Sequence, residues 1–427
     1  MKPQDEQRSS DLDRTTTHVR NSQAPDCRAS ELPRDDPHKA AAAMVRTPRV
    51  LPDLTSPSTS NPDTATDARG GGDAEPQLIR IFDRSDVLCR LREIHGNGDD
   101  LCEDFGTNNS GNLSSEEHLR SRRLYQLAMD SRSGYRSPLI ASPHMIAAID
   151  GLRIIAPQFE SIIGVVANAA AMSLVTGQPL QVPPMLLLGP PGIGKTFFAK
   201  RLAAAIGSAF LPLSMNLTPA FGLLAGLSSA WKGAGPGKIA MTLVNSPNAA
   251  PIILFDEVEK VVIAGHYDRP LDVLHSLWEP ENAFEFRDEY FDIQFDASHI
   301  ISIATANSTE SISPSLLDRL LVLDIKPPTF EQRRGIALQA YGAAVIKAGG
   351  TIKTCGIIDA EPASAILDLL AANTPRRITR LIMLALPMAV AEKRTSLSPS
   401  DITAAAALLD SAKVNDGPGI GFIRRES

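Results

Sequence analysis

From residue 185 the chain reads Met185-Leu186-Leu187-Leu188, then Gly189-Pro190-Pro191-Gly192-Ile193-Gly194-Lys195-Thr196, then an alanine-rich stretch that ends at Ile206. The middle octapeptide matches the phosphate-loop pattern GxxxxGK[ST] in full, and the segments on either side predict the strand and helix that the pattern needs. Glycines let successive backbone N–H groups turn inward around phosphate oxygens without a Cβ clash. The N-terminus of the following helix adds partial positive charge. Lys195 is expected to reach the β- and γ-phosphates of ATP, and the Thr196 hydroxyl to hold Mg²⁺.

Working outward, Ile252-Ile253-Leu254-Phe255 forms an apolar run that ends in Asp256-Glu257. Such a strand delivers two carboxylates at its C-terminal edge, where open α/β sheets bind ligands. Asp256 is expected in the Mg²⁺ shell and Glu257 beside the attacking water as general base. Further buried-strand patterns lie at 210–215, 299–305 and 320–325, and helical spacing appears at 117–130, 144–155, 158–176 and 196–206. Apolar strands that alternate with helices predict a parallel sheet covered on both faces. After Pro327 the pattern is helical throughout, at 330–347, 361–372, 375–393 and 399–413.

Residues 1–76 contain no Phe, Tyr or Trp and are rich in Pro, Ser and Thr. A segment of that kind buries too little apolar surface to offset its ordering entropy, so a disordered tail is expected. The layout is then a tail at 1–76, a partly helical region at 77–139, an α/β core at 140–327, a helical lid at 328–414 and a C-terminal tail at 415–427. The 42 Lys+Arg and 49 Asp+Glu leave a net charge of −7, which disfavours coating nucleic acid by bulk charge. No apolar run approaches the roughly 20 residues of a membrane span, and residues 1–10 begin no signal sequence. Cys27, Cys89, Cys102 and Cys355 form no CxxC pair, so neither a disulfide framework nor zinc is expected and the default is a cytoplasmic protein. The scattered histidines suggest no metal other than nucleotide-bound Mg²⁺. The basic run Arg120-Ser121-Arg122-Arg123 reads as a solvated helix face rather than a nucleic-acid patch.

A series of further motifs is more specific. Trp231-Lys232-Gly233-Ala234-Gly235-Pro236-Gly237-Lys238, Leu271-Asp272-Val273-Leu274-His275-Ser276-Leu277-Trp278-Glu279-Pro280-Glu281, Phe286-Arg287-Asp288-Glu289-Tyr290-Phe291, Phe295-Asp296-Ala297-Ser298, Ala304-Thr305-Ala306-Asn307-Ser308 and Pro314-Ser315-Leu316-Leu317-Asp318-Arg319 follow in that order. The series resembles the ATPase core of Lon-type proteins, within the AAA+ superfamily. The resemblance implies a P-loop α/β core with an all-helical lid, working as a homo-oligomer, a hexameric ring, on a protein client. It implies that Asn307 is sensor 1, reading the γ-phosphate, and that Arg319 is an arginine finger completing a neighbour's site. It places sensor 2 at Arg376, with Arg377 as the adjacent register. Trp231, Lys232 and Gly233 correspond to the pore loop that grips a threaded polypeptide; a core role is the other reading of Trp231. The family's residue after the aromatic is apolar, and Lys232 departs from it in a way that would suit an acidic segment or a nucleic acid.

Lon-type proteins carry a Ser-Lys peptidase domain after the lid. Asp416-Gly417-Pro418-Gly419-Ile420-Gly421 resembles the sequence around that serine, yet Gly419 stands at the nucleophile's position. The sequence therefore predicts an ATP-hydrolysing remodeller or unfoldase without peptidase activity and with no membrane partner. A nucleic-acid-associated motor or loader is the alternative.

Overall fold

A computed structural model of the chain describes residues 77–95, 114–216, 220–228, 231, 233–261, 269–347 and 362–414. The expected tails at 1–76 and 415–427, three of the four cysteines, Lys232 and the 416–421 stretch lie outside the described residues. Among the described residues nine strands occur in chain order: β1 (Ile79–Arg80), β2 (Tyr135–Arg136), β3 (Met185–Leu188), β4 (Phe210–Ser214), β5 (Ile252–Asp256), β6 (Phe286–Asp288), β7 (Ile293–Phe295), β8 (Ile301–Ala306) and β9 (Leu321–Asp324). Five of them form one sheet in the order β4-β5-β8-β3-β9, parallel throughout. The register pairs Leu188 with both Ala306 and Asp324, and Ser214 with Asp256, so the carboxyl ends of all five strands meet along one edge.

Side chains of the three inner strands divide between two cores by the period-2 alternation of a strand. Met185, Leu187, Ile252, Leu254, Ile301 and Ile303 face a cluster shared with the helices Pro143–Ile155, Glu160–Thr176 and Lys195–Ile206. Leu186, Ile253, Phe255 and Ala304 face a second cluster on the other side. Both faces are buried, as continuous apolar strands require. The fold is the α/β architecture that the sequence predicts. The C-terminal helices Phe330–Lys347, Ser364–Ala371, Pro375–Ala391 and Pro399–Val414 pack on a core of their own around Tyr341, Leu370, Ile378 and Ile382.

Two sequence expectations need correction. The span Pro157–Thr176, 20 residues with mean hydropathy 1.5, is long and apolar enough by composition to cross a membrane. In the fold it is a core helix: Phe159, Ile162, Ile163, Val166 and Ala170 are buried against the sheet, and Phe159 stacks on Phe198 of the phosphate-loop helix at 4.4 Å between centroids.

The basic run 120–123 is also only partly a solvated face: Arg122 is exposed, but Arg120 and Arg123 are half-buried and Ser121 is buried. It lies on the helix Ser115–Ala128, which packs with the helix Arg84–His95 onto the antiparallel hairpin β6–β7. Arg120 donates to the carbonyls of Tyr290 (2.7 Å) and Phe291 (3.1 Å), and the Arg123 guanidinium lies 5.3 Å from the Tyr290 ring centroid. Tight turns leave carbonyl groups without ladder partners, and a guanidinium fork satisfies two at once. Phe82, Val87, Leu91, Leu124 and Leu127 share the core of Phe291 and Phe295, so residues 77–95 and 114–136 are built into the body of the fold.

Candidate functional site

The loop after β3 passes close to the chain beyond β9. A Cβ on Gly189 would stand 2.5 Å from the Ile325 carbonyl oxygen, and Gly192 and Gly194 have φ of +83° and +101°. Side chains at these three positions would clash or strain the backbone. Gly194 caps the helix Lys195–Ile206, which aims its N-terminus at the loop.

Lys195 is buried. Its ammonium donates to the carbonyls of Gly189 (2.5 Å) and Ala306 (3.1 Å) and to Asn307 Oδ1 (3.0 Å), with Pro190 O at 3.4 Å. Burial pushes its pKa down, while the nearby Glu259, Asp256 and Glu257 carboxylates pull the other way. Asp256 Oδ2 accepts from Thr196 Oγ1 at 3.0 Å, and Oδ1 accepts from Thr305 Oγ1 at 2.5 Å. Thr305 in turn accepts the Glu257 N–H at 3.1 Å. Glu257 takes a left-handed backbone, φ +61°, which costs a non-glycine residue about 1 kcal/mol and turns the chain at the strand's end. Its carboxylate accepts from Asn216 Nδ2 at 3.2 Å and pairs with Lys260 at 2.9 Å. Asn307 donates from both its backbone N–H (3.1 Å) and its side-chain Nδ2 (2.7 Å) to Glu259 Oε1.

Lys195, Thr196, Asp256, Glu257 and Asn307 thus line one cleft of about 1310 Å³, together with Pro191, Gly192, Ile193 and Gly194. The lid closes its other side through Arg376, Thr379 and Arg380, and Arg376 Cβ lies 3.8 Å from the Cβ position of Gly192. Arg377 turns instead to Asp410 on the last helix, in a two-pronged pair at 2.7 and 2.8 Å. The Thr196 hydroxyl and Asp256 carboxylate offer two hard oxygens side by side. That set fits Mg²⁺, which takes one or two protein oxygens and keeps waters and phosphate oxygens for the rest. Among the described residues no cluster of His, Cys, Asp and Glu could hold a metal on its own.

Two expected site residues lie elsewhere. Arg319 follows the short helix Pro314–Leu317, where it pairs with Glu279 and donates to the Ser315 carbonyl at 2.5 Å; it does not line this chain's own cleft. Trp231 is 64% exposed, which removes the core reading. It sits in a turn closed by hydrogen bonds to Ser228 (3.0 Å) and from Ala234 (3.1 Å), with Gly233 at φ +81°. The base of this loop is pinned where Leu227 N–H donates to the Gly235 carbonyl (3.0 Å) and Gly237 N–H to the buried Asp288 (2.7 Å).

Sequence reasoning missed Thr305, Glu259 and Asn216. A buried-strand threonine beside Ser302 in β8 was a weak signal for the first. Glu259 carried none that set it apart from other acids, and Asn216 lies in the turn just after β4, a strand whose neighbour only the sheet order reveals.

Residues 185–325 match the family model described as ATPase family associated with various cellular activities (AAA). The chain is 35% identical over 169 residues to a Lon protease of Borrelia duttonii, covering 40% of this chain and 21% of that protein. It is 32% identical over 175 residues to a Lon protease of Clostridium beijerinckii, covering 41% and 22%. The chain therefore spans about a fifth of the length of these relatives. Among solved structures, the Thermotoga maritima RuvB Holliday junction branch migration motor aligns with a TM-score of 0.40 at 18% identity, over 58% of this chain and 69% of that one. A closed-state Hsp104 bound to ATPγS and casein aligns with a TM-score of 0.48 at 16% identity, over 66% and 54%. Residues 185–325 are thus similar to the AAA family, and the chain is similar to part of the Lon proteases.

Proposed function

We propose that this AAA module hydrolyses ATP within an oligomeric ring and uses the cycle to remodel or unfold a protein client without cutting it. The observation that carries the reading is the meeting of Lys195, Thr196, Asp256, Glu257 and Asn307 in one cleft under a lid arginine. Lys195 exchanges its backbone acceptors for the β- and γ-phosphates. Thr196 and Asp256 would hold Mg²⁺, which would supply charge stabilisation to the phosphates. Glu257 takes a proton from the water whose oxygen attacks the γ-phosphorus, and the bond to the β–γ bridging oxygen breaks to release ADP and phosphate. Asn307 contacts the γ-phosphate and Arg376 contacts it from the lid. Arg319, outside its own cleft, completes the neighbouring subunit's site. The exposed Trp231 on its pinned loop is suited to pressing on side chains of any sequence, since an aromatic face needs no specific partner. Gly419, in place of a nucleophile, supports the reading that nothing is cleaved.

Glu257→Gln tests it. The variant is expected to keep ATP affinity and lose turnover by about a hundredfold or more. Unchanged phosphate release would remove the assigned base. Stimulation of the wild type by unfolded protein supports the client class. Stimulation by DNA with a steep salt dependence would instead mark the nucleic-acid motor suggested by Lys232.

A further inference from the structure

The Asn307 carboxamide is gripped at both ends. Its Oδ1 accepts from Lys195 at 3.0 Å. Its Nδ2 and its own backbone N–H both donate to a single oxygen of Glu259, at 2.7 and 3.1 Å. Two donors of one residue converging on one acceptor leave the side-chain torsions little freedom. The orientation is also fixed: a flipped amide would set Oδ1 against the Glu259 carboxylate and Nδ2 against the Lys195 ammonium, pairing acceptor with acceptor and donor with donor.

Glu259 pays for this arrangement, because its second oxygen is buried with no hydrogen-bond partner among the described residues. An unpaired buried carboxylate oxygen is costly. Of the three acids that favour the charged form of Lys195, Glu259 acts most strongly. The carboxylate lies in the short helical turn Val258–Lys260 directly after Glu257, so the side chain that holds Asn307 is carried by the same turn that presents the candidate base.

We infer that Glu259 is a positioning residue for ATP hydrolysis, holding the Asn307 carboxamide in the cleft so that one N–H and the oxygen face the terminal phosphate and the attacking water. The inference rests on the reading above that Asn307 faces the γ-phosphate. When the phosphates draw Lys195 away, Asn307 Oδ1 loses its donor and becomes free to accept from water. Glu259 still anchors the other end, and the second Nδ2 hydrogen remains for a phosphate oxygen. Without Glu259 the amide would swing with the departing lysine.

The experiment measures ATP affinity and phosphate release for full-length Glu259→Ala, Glu259→Gln, Asn307→Ala and the double variant Glu259→Ala/Asn307→Ala. Glu259→Ala is expected to bind ATP within about threefold of the wild type while kcat falls about tenfold or more. Glu259→Gln keeps an acceptor oxygen and is expected to restore kcat to within about threefold. In the double variant, the loss is expected to equal that of Asn307→Ala alone, because Glu259 acts only through Asn307; a merely structural role would add a further loss. Should Glu259→Ala not fold, Glu259→Leu fills the same space without an acceptor and is read the same way. If Asn307→Ala is impaired while Glu259→Ala turns over normally, or if the two losses multiply, the positioning role is wrong. If Asn307→Ala itself turns over as the wild type, the assignment of Asn307 fails first, and Glu259 with it.

Discussion

Thr305→Val is the sharpest test of how the site is assembled. Thr305 is 1% exposed in β8, at the middle of the sheet. Its hydroxyl donates to Asp256 at 2.5 Å and accepts from the Glu257 N–H at 3.1 Å. One atom therefore ties the Asp256 carboxylate to the turn that presents the candidate base. Valine has the same outline, so no cavity forms. The substitution removes one hydrogen bond to a carboxylate, about 1.5–3 kcal/mol, and leaves one buried N–H unpaired, about 1–3 kcal/mol. Part of that cost appears as stability. If about 3 kcal/mol is lost from the fold, the melting midpoint falls by roughly 6–12 °C for a body of this size. The rest appears in catalysis: once its N–H is released, Glu257 has little reason to keep its left-handed backbone, and a displacement of about 1 Å at a reacting group costs about a hundredfold in rate. The assay is phosphate release at saturating ATP, beside titration with a fluorescent ATP analogue and a thermal melt. The expected result is kcat reduced about 30- to 100-fold, with ATP affinity nearly unchanged. Thr305→Ser, which keeps the hydroxyl, is expected to stay within a few-fold of the wild type. A folded Thr305→Val protein with wild-type kcat would refute this account of the site.

Two further outcomes follow from the same geometry. Arg319→Ala is expected to leave ATP binding intact and to lower hydrolysis about a hundredfold or more, while wild-type activity per chain rises with concentration as subunits assemble; full activity from a strict monomer would exclude action on a neighbour. Asp288 is wholly buried beneath the Trp231 loop, and burial pushes its carboxyl from 3.8 up to about 6. Because its folded pKa is raised, its contribution to stability is complete below the unfolded value near 4 and is lost as pH rises through about 6, by at most about 3 kcal/mol. The melting midpoint of the wild type relative to Asp288→Asn is therefore expected to decline from pH 4 to pH 7, and a flat difference would show that Asp288 titrates normally.

The phosphate loop, the strand that ends in Asp256-Glu257 and the alternation of strands with helices were legible because each depends on neighbours in sequence. A glycine at a left-handed position, a cation that follows a turn and an apolar run leave their mark within a few residues. The seating of Arg120 and Arg123 was misread for the opposite reason. Whether a polar or apolar stretch is buried depends on what packs against it, and its partners lie far away, on the β6–β7 hairpin for Arg120 and on the sheet and the phosphate-loop helix for Phe159.

The sequence by itself pointed to the candidate phosphate loop, since its residues are consecutive. Only the tertiary structure decided how the side chains around it are held. With β8 lying between β5 and β3, Thr305 comes within reach of Asp256 and Glu257, while Asn307 falls between Lys195 and Glu259. Strand order is set by the packing of whole faces and is not written in the spacing of any motif, so the second layer of the site appeared only when the sheet was assembled.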